Sequence, residues 1–103
     1  MVGVIVTFKF DDGFDRAKVE GVAREAAPMF EGVPGLRSKL FTLDEGSGRA
    51  VNVYLWESRE EAAAFFTPEL VERATAAYGI APSVEFFDVA ALVDNSRTAA
   101  PVA

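Results

Sequence analysis

Two alternating runs, LRSKLFTLD (Leu36–Asp44) and RAVNVYLWE (Arg49–Glu57), flank the four residues EGSG. A period of two marks strands, and a short polar connector rich in glycine between two such runs marks a hairpin. An antiparallel pair is therefore built into the middle of the chain, and the other segments must arrange themselves around it. Pairing Asp44 with Arg49 sets a register with Arg37 opposite Trp56, Lys39 opposite Tyr54 and Phe41 opposite Asn52. One face of the hairpin then carries Arg37, Lys39, Phe41, Asn52, Tyr54 and Trp56. The other carries Leu40, Val51, Val53 and Leu55, all aliphatic.

The flanking segments supply two more strands and the helices. Val2–Phe10 is rich in β-branched and aromatic residues and stops at Asp11-Asp12-Gly13, with Val2, Val4, Val6, Phe8 and Phe10 on one side. Val19, Val22, Ala23 and Ala26 repeat at helical spacing after Asp15, a candidate N-cap, and Pro28 predicts an end near Ala26 or Ala27. Ser58 and Glu61 form the S-x-x-E capping box, so a helix starts directly after Glu57. Thr67-Pro68 is a second start signal, which predicts a break there and a resumption to about Tyr78 before Gly79. Ser83–Leu92 closes the set as a strand. The order β-α-β-β-α-β is that of a ferredoxin-like α+β fold, a four-stranded antiparallel sheet with two helices on one face. The expected domain covers residues 1–93, with 94–103 as a flexible tail.

Composition narrows the function classes. The chain of 103 residues has no cysteine and no histidine. Disulfides, thiolate metal sites, a histidine acid/base and a Ser-His-Asp triad are thereby removed. Sixteen acidic against ten basic residues give a net charge of −6, which disfavours nucleic acid and anionic membrane surfaces as partners. Exposed Phe41, Tyr54 and Trp56 on a sheet could imitate an RNA-binding module, but the charge and the lack of an RNP1-type pattern argue against it. The opening MVGVIVTFKF has no basic leader and reads as no signal peptide, so the expected compartment is the cytoplasm. No residue set suggests a metal or a cofactor.

The aliphatic side, joined by Val4, Val6 and Phe8, is expected against the helices. The side with Lys39, Asn52, Tyr54 and Trp56 is then the free face, to which the last strand adds either Phe87 and Val89 or Val84 and Phe86. In either phase the free face displays several large apolar groups together. Such patches mark interfaces, so a homodimer through the sheet face is expected.

The words VPGLRSKLFTLDE and VYLWESREEAAAFF resemble the YdhR-type monooxygenases, within the antibiotic-biosynthesis-monooxygenase-like group of dimeric α/β-barrel proteins. Gly35-Leu36 with Lys39, the run Tyr54-Leu55-Trp56-Glu57-Ser58 and the closing Phe87-Asp88-Val89 carry the likeness, which runs from about Val2 to Leu92. The resemblance implies two chains pairing into a barrel with one apolar pocket each, between sheet and helices. It implies oxygenation of a small aromatic, quinol-like or polyketide-like compound without metal or flavin. Haem-degrading relatives carry a Trp on the second helix and a His about ten residues on; the corresponding positions here are Phe65 and Thr75, which argues against haem chemistry.

Such a pocket must favour a substrate anion that passes electrons singly to triplet oxygen, and must keep water out. Donors available on the sheet are Arg37, Lys39, Asn52, Tyr54 and the Trp56 indole. Asn52, Tyr54 and Lys39 are the candidate catalytic residues, and Lys39 or Tyr54 could move a proton. Phe8, Val53, Trp56, Phe65 and Tyr78 are the candidate contacts to a hydrophobic small-molecule ligand. Tyr54 and Trp56 suit dimer packing equally well. Strand parity and resemblance disagree on where the donors face, since the first puts them on the free face and the second puts the pocket beside the helices. The competing reading is a non-catalytic binding or structural homodimer on the same barrel.

Overall fold

The computed structural model describes residues 1–96. In chain order the elements are β1 (Val2–Lys9), α1 (Arg16–Ala26), a 3₁₀ turn (Ala27–Phe30), β2 (Leu36–Asp44), β3 (Arg49–Trp56), α2 (Arg59–Phe65), α3 (Pro68–Tyr78) and β4 (Ser83–Asp88). The strands form one antiparallel sheet in the order β2-β3-β1-β4, so the first and third strands are central. This is the expected ferredoxin-like α+β fold, with its second helical segment divided into two. Of the tail expected at 94–103, residues 97–103 lie outside the described residues.

Local chemistry sets the helix ends. The Asp15 carboxylate accepts from the Lys18 N–H, Ser58 Oγ from the Glu61 N–H and Thr67 Oγ1 from the Leu70 N–H, each at 3.2 Å. Each satisfies a backbone donor that the helix leaves orphaned, an effect worth about 1 kcal/mol. At Ser58 the hydroxyl also donates to Glu61 Oε1 at 3.0 Å, which holds that carboxylate against the cap. Pro28 ends α1 and opens the 3₁₀ turn, while Gly79 at φ +84° stops α3.

The hairpin register holds from Asp44↔Arg49 to Ser38↔Leu55. A bulge then skips Arg37, so Leu36 and not Arg37 faces Trp56. Arg37 turns outward instead, with its guanidinium 3.6 Å from the Glu57 carboxylate.

The assignment of faces is corrected. Val4 pairs with Tyr54, Val6 with Asn52 and Phe8 with Ala50, so Asn52, Tyr54 and Trp56 share the helix side with the β1 valines. All are buried there, joined by Val19 of α1, Ala62 of α2 and Tyr78 of α3. Val51, Val53 and Leu55 stand on the opposite, uncovered face with Ile5 and the 62% exposed Leu40. Both faces are apolar, so alternation alone did not choose between them. The bulky rings go where the helices bring Phe30, Phe65 and Phe66 to meet them. On β4, Val84 and Phe86 turn to the helices and Phe87 to the free face.

Candidate functional site

Between the sheet and the helices lies a cavity of about 420 Å³. Its size falls in the range of small-molecule sites. Phe8 and Val6 of β1, Asn52 and Tyr54 of β3, and Lys39 and Phe41 of β2 form its floor. Phe30 from the 3₁₀ turn, Phe65 and Phe66 from the α2–α3 break, and Leu70, Ala74 and Tyr78 of α3 form its roof and sides. The break serves the site directly: α2 ends at Phe65, Phe66 leaves the helical path before Thr67 starts a new helix, and both rings line the cavity.

Lys39 is held among rings. Its Nζ lies 3.3 Å from the Phe30 centroid, 4.0 Å from that of Phe41 and 4.4 Å from that of Tyr54. The ring faces favour the ammonium. Burial opposes them and draws the group down from its ordinary value to about 7. Lys39 is thus poised to exchange a proton near neutrality.

The phenols behave differently. Burial, aided by the neighbouring Tyr78, pushes Tyr54 well above the ordinary range, so it stays protonated. Tyr78 is also raised by burial, partly offset by its hydrogen bond with Asn52. Of the two residues that the sequence offered for proton transfer, Lys39 is shifted toward neutrality and Tyr54 away from it.

Asn52 is 4% exposed and makes one long contact, its Nδ2 donating to Tyr78 Oη at 3.4 Å. Its Oδ1 has no partner. Turning the amide over would let the phenol donate to Oδ1 and would leave Nδ2 bare. Either way a buried amide group keeps capacity for a ligand. Tyr78 is fixed in turn by stacking on Phe8 at 3.9 Å. Asn52, Tyr78 and Phe41 also border a second cleft of about 470 Å³ beneath α1, so these three residues are shared by the two spaces.

The expected contacts divide three ways. Phe8, Phe65 and Tyr78 line the cavity with Lys39, Asn52 and Tyr54. Val53 does not, because its side chain stands on the opposite face of the sheet. Trp56 is fully buried behind the wall, 6.2 Å from Tyr54 in a stacked arrangement and 5.1 Å from Phe65, and its indole N–H has no partner. Reading the sequence missed Phe30, Leu70, Ala74 and Arg73 in the lining. Pro28 two residues before Phe30 was the available signal, since a helix stopped there must swing the next aromatic out of line. Among the described residues no three acidic side chains gather where they could hold a metal ion, and no helix is long and apolar enough to cross a membrane.

Solved structures with this architecture include several oxygenases. SnoaB, a cofactor-independent oxygenase from Streptomyces nogalater, superposes with a TM-score of 0.64 at 19% identity over 89% of this chain and 95% of its own. A monooxygenase from the gene ActVA-Orf6 of Streptomyces coelicolor, in complex with Nanaomycin D, gives 0.67 at 21% identity over 90% of each chain. The NE2512 protein of unknown function from Nitrosomonas europaea gives 0.71 at 14% identity over 90% of this chain and 92% of its own. At such identities the likeness speaks for the fold. Among curated proteins there is no match. The sequence model described as "Putative mono-oxygenase ydhR" matches residues 4–98, nearly the whole chain, and the chain belongs to that family.

Proposed function

We propose that the chain is a cofactor-independent monooxygenase whose active site is the cavity between sheet and helices, acting on a small aromatic, quinol-like or polyketide-like compound. The observation that carries this reading is a half-buried amine with a near-neutral pKa and a buried, unsatisfied amide lining the same mostly apolar cavity. The names of SnoaB and the ActVA-Orf6 monooxygenase support it.

An anthrone illustrates the chemistry. The free amine of Lys39 takes the acidic proton of the substrate, and the Asn52 amide donates to the resulting enolate oxygen. The enolate passes one electron to dioxygen, and the two radicals combine into a peroxide at the ring carbon. Loss of water leaves a carbonyl there. The methylene carbon gives up four electrons, one oxygen atom enters the product, and the other leaves as water. The surrounding phenylalanines keep solvent from the anion.

The functional unit in this proposal is a homodimer paired through the free sheet face. Leu40, Ile5, Val53, Leu55 and the 47% exposed Phe87 give that face its apolar character.

The test is oxygen uptake by the purified chain with a panel of anthrones and quinols. Uptake of one dioxygen per anthrone is expected, reduced about a hundredfold or more in Lys39→Met. Tight binding without uptake across the panel would favour a non-catalytic binding protein instead.

A further inference from the structure

Charge is distributed unevenly between the cavity and the rest of the molecule. The chain is acidic, at −6, yet the cavity wall includes two cations, Lys39 and Arg73, and no Asp or Glu. Arg16, Arg24, Arg37, Arg49 and Arg59 all pair with carboxylates. Lys39 and Arg73 have no such partner among the described residues; nor do Lys9 and Lys18, but those two lie outside the cavity wall. Lys39 is inside, among three rings, and Arg73 is exposed on α3 at the rim. The other titratable groups on the wall are Tyr54 from β3 and Tyr78 from α3, both phenols held neutral.

We infer that the cavity selects its ligand as an organic anion, an aromatic body bearing one ionised oxygen group directed at Lys39, with Arg73 drawing such ligands to the mouth. A neutral ligand filling the space would strip the ammonium of its remaining solvent or force it to release its proton, and would give nothing in return. A cationic ligand would meet two like charges. An anion supplies the missing counter-charge in a low-dielectric setting, where a charge-assisted hydrogen bond is strongest. The uncompensated amide of Asn52 offers the same oxygen a second contact. The ionised group can be a carboxylate or an acidic enol, since both present a single negative charge on oxygen. The inference rests on the cavity being the ligand site, as in the proposed function, but does not depend on the oxygen chemistry.

Matched probes test it on the full chain at neutral pH by titration calorimetry: naphthoate against naphthamide, and hydroxynaphthoquinone, ionised as its enolate, against the methoxy ether. Each anion is expected to bind about tenfold more tightly than its neutral match. Lys39→Met should abolish that preference while still binding the neutral probes, which shows the cavity intact. Lys39→Arg should keep it, and Arg73→Gln should weaken it by a smaller factor. Preference within one pair only identifies the acid as carboxylate or enol. Equal affinity for charged and neutral members, a preference untouched by Lys39→Met, or no binding of any probe would overturn the inference. Equal affinity together with normal oxygen uptake removes the anion selectivity alone; absence of both binding and uptake removes the proposed active site as well.

Discussion

Lys39 shows how the burial of a single cation couples stability to pH. The unfolded chain keeps a lysine protonated up to about pH 10.4, whereas burial makes the folded chain release this proton at about 7. Between those values the unfolded state binds more protons, so stability rises with pH across that window and is flat below it. The buried ammonium is therefore most costly at and below neutrality. Lys39→Met, which keeps the volume and removes the charge, is expected to raise the melting temperature by a few degrees at pH 6.5, while the advantage over the unsubstituted chain shrinks by pH 9. Thermal melts of both proteins at the two pH values check the sign. A lower melting temperature for the variant would mean that the ring contacts outweigh the desolvation.

At the scale of elements, the entrance to β2 and the start of α2 are locked together. Gly35 has φ +82°, and a Cβ there would press into the Glu61 carboxylate that accepts from the Ser58 hydroxyl at the helix cap. The Glu57 N–H donates to the Gly35 carbonyl at 2.8 Å, tying the same two segments. Gly35→Ala is expected to destabilise the chain by about 2 kcal/mol, combining the left-handed backbone cost with displacement of the cap; urea unfolding measures it. These elements were legible in the sequence because their signals are local: EGSG, S-x-x-E, Thr67-Pro68 and Gly79 each act within a few residues. The hairpin register was legible for the same reason from Asp44↔Arg49 to Ser38↔Leu55, but the bulge at Arg37 was not. The face that each strand turns to the helices was not, because Val53 and Tyr54 are both hydrophobic and only long-range pairing with β1 decides between them. The cavity followed the same pattern. Asn52, Lys39 and Tyr78 stand out as polar residues in apolar runs, whereas Phe30 and Leu70 become wall only once the 3₁₀ turn and α3 are set over the sheet.

For the whole molecule, correcting the faces changes which residues would join two chains, but not why they should. The rings are committed to the interior. The uncovered side of the sheet presents Leu40, Val53, Leu55, Ile5 and Phe87, a surface that water solvates poorly. Sedimentation of the unsubstituted chain is expected to give twice the chain mass at micromolar concentration. Val53→Glu, near the centre of that face, should give monomers with unchanged near-ultraviolet dichroism from the buried aromatics. Leu40→Lys should weaken the pairing less, because Leu40 stands on the edge strand β2.

The thin partition made by Asn52, Tyr78 and Phe41 has a bearing on how long a guest this protein can hold. With those three in place, the chamber ends at one amide and two rings, where a fused-ring guest of the proposed site would have to stop. Replacing the asparagine by glycine would thin that boundary toward the hollow under the first helix, with Tyr78 and Phe41 still beside the gap. Ring count would then be limited by the width of that gap rather than by the depth of the chamber.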